Sequence, residues 1–247
     1  MAKGTSNILE KFSPILLVLT IVLAFAVGVL WQKVANLEGG GTRVADLGQG
    51  PAAPADGKLS EEQAANVAAV SDEDFVRGNR NAEIFLIEYS DLECPFCASF
   101  HPTAKQALDE YGDQLAWVYR HFPLETIHPR AIPAAEASEC VASLGGKDAF
   151  WDFTDYLFEN QSSTTLSDSG LTTAATTAGV DSGAFSSCYE AQTFSANVTA
   201  DYQSGIDAGV TGTPGNFVMN SKGEVWVVPG AVPFENLKSV IDEALAS

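Results

Sequence analysis

The sequence encodes an α/β sheet with a helical subdomain inserted into it. Three features carry that reading: a strand–helix–strand opening between residues 84 and 122, a nearly continuous helical stretch to about residue 207, and a closing hairpin followed by an amphipathic helix.

Ser60 stands three residues before Gln63, ahead of Ala64, Ala65, Val67 and Val70, a capping-box pattern that opens a short helix. Ile84-Phe85-Leu86-Ile87-Glu88-Tyr89 is a short β-branched and aromatic run and reads as a buried strand. Ser90 to Glu93 forms a turn. A helix then starts near Cys94, with Phe96, Phe100, Ala104, Leu108 and Tyr111 recurring at three- and four-residue spacing. Pro102 is expected to kink it, because an interior proline removes a backbone donor. Residues 115–122 form a second strand. Helical patterns follow over 133–144, 147–159 and 167–179, with two shorter pieces up to about Asp207. Strands return at 216–220 and 224–228, joined by Ser221-Lys222-Gly223. The final helix collects Leu237, Val240, Ile241, Ala244 and Leu245 on one face.

The chain has 247 residues, with 13 Lys plus Arg against 32 Asp plus Glu, for a formal net charge of −19. Such an acidic chain repels phosphate backbones, which argues against nucleic acid as a partner. The acidic surplus is most simply a solvated surface. Charged residues are only 18% and apolar ones 46%, so part of the apolar content is expected outside a soluble core.

That excess sits at the amino end. A short segment, 1–12, precedes an uncharged run over 13–31, and about 20 apolar residues suffice to span a bilayer as a helix. We expect a retained transmembrane signal-anchor there. The competing cleaved signal peptide usually has an apolar region of about 7–15 residues and a small-residue cleavage site. This run instead ends in Leu30-Trp31-Gln32-Lys33, and Trp31 suits a membrane–water boundary. Lys3 and Lys11 before the span and Lys33 and Arg43 after it leave little charge bias, so cysteine usage must set the orientation. Residues 32–58, rich in Gly, Ala and Pro, read as a flexible linker. The folded unit is then 59–247, with its helical insert at about 130–208.

The chemistry centres on Cys94-Pro95-Phe96-Cys97. Two thiols three positions apart at a helix start can close a small disulfide ring, and Pro95 at the first helical position gives up only a donor that would be unpaired. The first sulfur then faces free backbone amides at the positive end of the helix, which favours thiolate at Cys94. A stabilised thiolate leaves easily, so the disulfide is readily handed on. Cys97, one turn in, is the shielded resolving thiol. Zinc would need two further ligands. Cys140, Cys188, His101, His121 and His128 form no second paired motif, so we expect no metal and no cofactor.

The stretch from Ile87 through Cys97 resembles the active-site strand and turn of the DsbA-like branch of the thioredoxin superfamily. Arg120-His121-Phe122-Pro123-Leu124 with His128-Pro129, residues 135–142 around Cys140, and Gly212-Thr213-Pro214 resemble that branch too, over about 75–245. The resemblance implies a thioredoxin fold with an inserted helical subdomain, preceded here by one N-terminal transmembrane helix. It also implies thiol–disulfide exchange on reduced exported polypeptides.

Further residues carry over from that likeness. Thr213-Pro214 matches the family's cis-proline loop, where an extended client strand pairs beside the sulfurs; Pro95 and Phe96 complete the expected client-binding surface. Glu88 matches the family's buried acid, able to exchange a proton with Cys97, although a strand residue facing an edge is the plainer alternative. Phe96 stands where strong oxidants of the group often carry His, and Gly215-Asn216 stands where bulkier residues are usual. Four cysteines permit three pairings. Closure of Cys94 with Cys97 leaves Cys140 and Cys188, at positions where some members have a second disulfide; buried free thiols are the other reading. A structural bridge would place the domain outside the reducing cytosol, with the amino terminus inside. His101 is expected at the surface, and His121 and His128 to hydrogen-bond within the Pro123 loop.

These expectations describe a membrane-tethered protein-disulfide oxidoreductase of the cell envelope, acting as an oxidase and recycled by a membrane redox partner. Reductase, isomerase and redox-inactive chaperone are the alternatives.

Overall fold

A computed structural model describes residues 57–247. The expectations for 1–12, for the membrane span at 13–31 and for nearly all of the linker lie outside these residues. Among the described residues, no helix is long and apolar enough to cross a membrane.

The chain runs α1 (Glu61–Ala64), β1 (Phe75–Gly78), β2 (Ile84–Ser90), α2 (Pro95–Tyr111) and, after a 3₁₀ turn at Gly112–Gln114, β3 (Leu115–His121). Four helices follow: α3 (Ala131–Glu159), α4 (Asp168–Thr177), α5 (Ser182–Glu190) and α6 (Ser195–Asp207). The hairpin β4 (Gly215–Asn220) and β5 (Val225–Val228) and the terminal α7 (Phe234–Ala246) complete the fold. The five strands lie in the order β1-β3-β2-β4-β5. β2 and β3 are parallel, as a strand–helix–strand unit requires, and the other pairs are antiparallel.

Alternation along the strands sorts the core into two clusters. Ile84 and Leu86 of β2, with Leu115, Trp117 and Tyr119 of β3, pack against α2, α3, α4 and α7. Ile87 and Tyr89, with Val118, Phe122 and Phe217, form a second cluster with Val67 and Val210. A period of two therefore places Glu88 and Ser90 on the same side of β2 as Leu86, the side that carries the cysteine helix. Arg120 falls on the opposite side of β3 from Trp117.

Several local features follow from single residues. Ser60 and Gln63 form a complete capping box at α1. α2 continues through Pro102 to Tyr111. α3 is two helical pieces merged across Gly146, whose φ of 88° only glycine adopts readily. Ser167 caps α4 and Asp181 caps α5. Gly215 is required by packing: a Cβ there would lie 2.6 Å from Val210 Cγ1.

Two elements depart from the sequence reading. β1 was not foreseen, being four residues long, at the sheet edge and only partly buried. The linker was expected to run to residue 58, but Gly57 and Leu59 exchange backbone hydrogen bonds with Val227 and Val225 at 2.8 and 2.7 Å, and Lys58 bridges Trp226. The exposed edge of β5 supplies the donors and acceptors that fix this segment.

Candidate active site

Cys94 is the N-cap of α2, Pro95 follows at its first position, and both cysteines are free thiols in this state. The turn is held by Cys94 donating its backbone N–H to the Asp91 carbonyl at 3.0 Å. Phe96 projects with 65% exposure, while Cys97 is fully buried. Across the site the Thr213–Pro214 bond is cis, and the Thr213 carbonyl oxygen lies 3.5 Å from Cys94 Sγ. The structure thus brings Cys94, Pro95, Phe96, Cys97, Thr213 and Pro214 together.

The two sulfurs differ sharply. The Cys94 thiol is lowered to about 5, first by a hydrogen bond from the Cys97 thiol, then by the Thr213 side chain and the backbone amides of Cys97 and Phe96, against a burial penalty. The helix amides expected to dominate are therefore secondary to the partner sulfur. The Thr213 hydroxyl is buried and has no hydrogen-bond partner among the described residues. Cys97 is pushed well above the usual thiol range by burial, by its role as donor to Cys94 and by the Glu88 charge.

Glu88 lies on the central strand β2 and is fully buried, so it does not face an edge. Burial raises it to about 7. Ser90 Oγ donates to its Oε1 at 2.6 Å and Trp117 Nε1 to its Oε2 at 3.0 Å, which holds the carboxyl in one orientation. Neither donor was singled out from sequence. Ser90 was findable, since two residues along a strand share a face; Trp117 depends on the β2–β3 register.

Asp91 is a second unforeseen centre. It accepts from the Glu93 amide at 2.8 Å, the Leu124 amide at 2.9 Å and His128 Nδ1 at 2.7 Å, tying the motif turn to the loop after β3. His128 therefore bonds outside its own loop. His121 does too: it is buried, with Nε2 3.4 Å from Ser138 Oγ and 3.8 Å from Glu139 on α3, and burial lowers it to about 3. His101 is not a surface residue. It is 2% exposed, hydrogen-bonded to Asp155 at 2.7 Å and packed on Trp117 and Phe158, because the apolar insert covers that side of α2. The acidic surplus is likewise not all solvated, since Asp74, Glu88, Asp91, Glu136 and Glu139 are buried.

Cys140 of α3 and Cys188 of α5, 48 positions apart in the chain, form a disulfide with their Cα atoms 5.9 Å apart. Among the described residues there is no cluster of three metal-ligating side chains.

A dithiol at the amino end of a helix, facing a cis-proline loop on a five-stranded sheet with a helical insertion, defines a thioredoxin-fold protein of DsbA-type architecture. The family model described as Thioredoxin matches residues 70–243, and the chain belongs to that family. Among solved structures, Pseudomonas aeruginosa DsbA2 is 24% identical with a TM-score of 0.61, covering 71% of this chain and 96% of that one. BdbD from Bacillus subtilis in its oxidised form is 22% identical with a TM-score of 0.61, covering 77% and 97%.

Curated relatives are longer proteins. The Na(+)/H(+) antiporter NhaA 1 of Mycolicibacterium vanbaalenii is 46% identical over 97 residues, which is 39% of this chain and 15% of that protein. The Na(+)/H(+) antiporter NhaA of Herminiimonas arsenicoxydans is 29% identical over 218 residues, 88% of this chain and 31% of that protein. The chain thus spans less than a third of the length of these relatives.

Proposed function

We propose that this protein is a thiol–disulfide oxidoreductase that introduces disulfides into reduced exported polypeptides through Cys94 and Cys97. The observation that carries the reading is the asymmetry of the pair: Cys94 lowered to about 5 beside a Cys97 held protonated. A sulfur that is stable as thiolate is a good leaving group, so a disulfide made with it is unstable and oxidising.

In the oxidised form a client thiolate attacks Cys94 Sγ. The Cys94–Cys97 bond breaks, a client–Cys94 disulfide forms, and Cys97 leaves with the electron pair and takes up a proton. Glu88, poised at about 7, supplies that proton. A second client thiolate attacks the client sulfur, and Cys94 departs as the thiolate. Two electrons have passed from client to protein. The Thr213 backbone presents the client segment as an added strand beside Cys94, with Phe96 and Pro95 as apolar contacts.

The same reading places the domain outside the cytosol, tethered by residues 13–31, with an unidentified membrane redox partner reoxidising Cys94 and Cys97. The Cys140–Cys188 bridge supports that compartment, since such bonds persist in oxidising surroundings. Equilibration of the protein with glutathione tests the direction. A potential near about −120 mV supports the oxidase, and one near about −270 mV makes it a reductase.

A further inference from the structure

A groove of about 470 Å³ opens between the loop after β3 and helix α6. Leu124, Ile127, Val198 and Tyr202 give it apolar walls, and Ile127 is 67% exposed. Glu125 stands exposed at its rim, and Glu136 of α3 lines it at only 3% exposure.

Glu136 is unlike the other buried acids. Glu88 has Ser90 and Trp117, Asp91 has Leu124 and His128, and Asp74 has Arg120. Among the described residues, Glu136 has no hydrogen bond or ion pair, and no lysine, arginine or histidine lines the groove. A carboxylate left without a partner on an apolar wall attracts a cation carried on an apolar arm.

The groove also borders the chain segments that lead to the active-site loops. Thr211 lies on it, two residues before Thr213, and two residues of chain span at most about 7 Å. From the other side, Leu124 donates its amide to Asp91, whose carbonyl accepts the Cys94 N–H.

We infer that this groove takes the segment of a client polypeptide beside its reacting cysteine, and that Glu136 selects a lysine or arginine set there among apolar residues. The inference rests on the redox reading above and names the client class that the site prefers.

The test uses the full chain in its oxidised form and ten-residue peptides with one cysteine. One peptide carries lysine three positions to either side of the cysteine, among leucine and alanine; the second carries norleucine at those positions. The peptide thiolate displaces Cys97 from Cys94, and the initial rate of mixed-disulfide formation is read by acid quench and mass analysis. The lysine peptide is expected to react about tenfold faster, equivalent to about 1.4 kcal/mol. Glu136→Gln is expected to bring the ratio below about twofold. Glu125→Lys, at an exposed position, lowers the ratio by itself and serves if Glu136→Gln does not fold. Equal rates for the two peptides, or a folded Glu136→Gln that keeps the tenfold ratio, overturn the inference. Failure of dithiothreitol to exchange with the Cys94–Cys97 disulfide overturns the redox reading itself, and the two failures are thereby told apart.

Discussion

Cys94 Sγ lies 3.5 Å from the carbonyl oxygen of Thr213, a residue 119 positions further along the chain. The same residue's buried hydroxyl has no hydrogen-bond partner among the described residues, and its side chain favours the Cys94 thiolate. Thr213 thus acts on the sulfur through both its backbone and its side chain.

Thr213→Val keeps the shape of the side chain and removes that donor. A hydrogen bond to a charged group contributes about 1.5–3 kcal/mol, so the Cys94 pKa is expected to rise by about one to two units. The pH dependence of alkylation by iodoacetamide measures it. An unchanged midpoint would leave Cys97 and the helix amides to account for the acidity.

Cys94 also predicts how the two redox forms respond to pH. In the reduced protein its folded value is about 5, below the ordinary thiol value of 9.0. Between those values the unfolded chain binds the proton and the native one does not, so stability rises with pH. That contribution is complete above about pH 9 and is lost as pH falls through about 5. The oxidised form lacks this group. The melting temperature of the reduced form minus that of the oxidised form should therefore climb across this window, which paired calorimetric scans would show.

Glu88 acts in the opposite sense. Its folded value of about 7 lies above the ordinary 4.5, so the native state holds the proton more tightly and stability falls as pH rises between the two. Glu88→Gln removes that slope. The amide cannot accept from both Ser90 and Trp117, and the orphaned donor costs about 1–3 kcal/mol at pH 4.5. Urea midpoints of oxidised wild type and variant should converge as pH is raised to 8. In exchange assays the variant is expected to lose the inflection near pH 7.

How much of this was legible beforehand depended on the range of the interaction. The strand alternation that buries Glu88 with Leu86, the capping box at Ser60, and the helix start at Cys94 are set by neighbours a few residues apart, and the sequence shows them directly. β1 escaped because four residues at an edge show little alternation. His101 was misplaced because a histidine on a helix looks solvated until the insert is folded over it. The larger cause of Cys94 acidity, the Cys97 thiol, is local in sequence but depends on a side-chain geometry that spacing does not specify. The bonds of Trp117 to Glu88 and of Asp91 to Leu124 join chain segments at least 29 residues apart, brought together only in the folded state.

The Cys140–Cys188 bridge clasps α3 to α5 within the insert. By loop entropy, a closure of 48 residues stabilises by about 4 kcal/mol at most. Replacing both cysteines with alanine is expected to cost about 2–4 kcal/mol by urea denaturation while thiol exchange at Cys94 persists. Loss of exchange in a folded double variant would mean that the bridge also positions the site.

Arg120 supplies the strongest test of the sheet's other side. It donates to both Asp74 oxygens, at 2.8 and 3.2 Å, to the Ala68 and Ala69 carbonyls at 2.9 and 3.0 Å, and to the Tyr89 hydroxyl at 3.0 Å. The guanidinium thereby pins residues 68–74 over β2 and β3, and both partners of the ion pair are buried. Asp74→Asn turns one of the two acceptors into a donor facing a buried cation, which is expected to cost about 3–5 kcal/mol. The comparison is Asp168→Asn, which breaks the more exposed pair with Arg130 and is expected to cost less than about 1 kcal/mol. Because Arg120 lies across the sheet from the cysteines, Cys94 in folded Asp74→Asn should keep its acidity. A small stability loss at Asp74, comparable to that at Asp168, would show that residues 68–74 are held by their apolar contacts rather than by this ion pair.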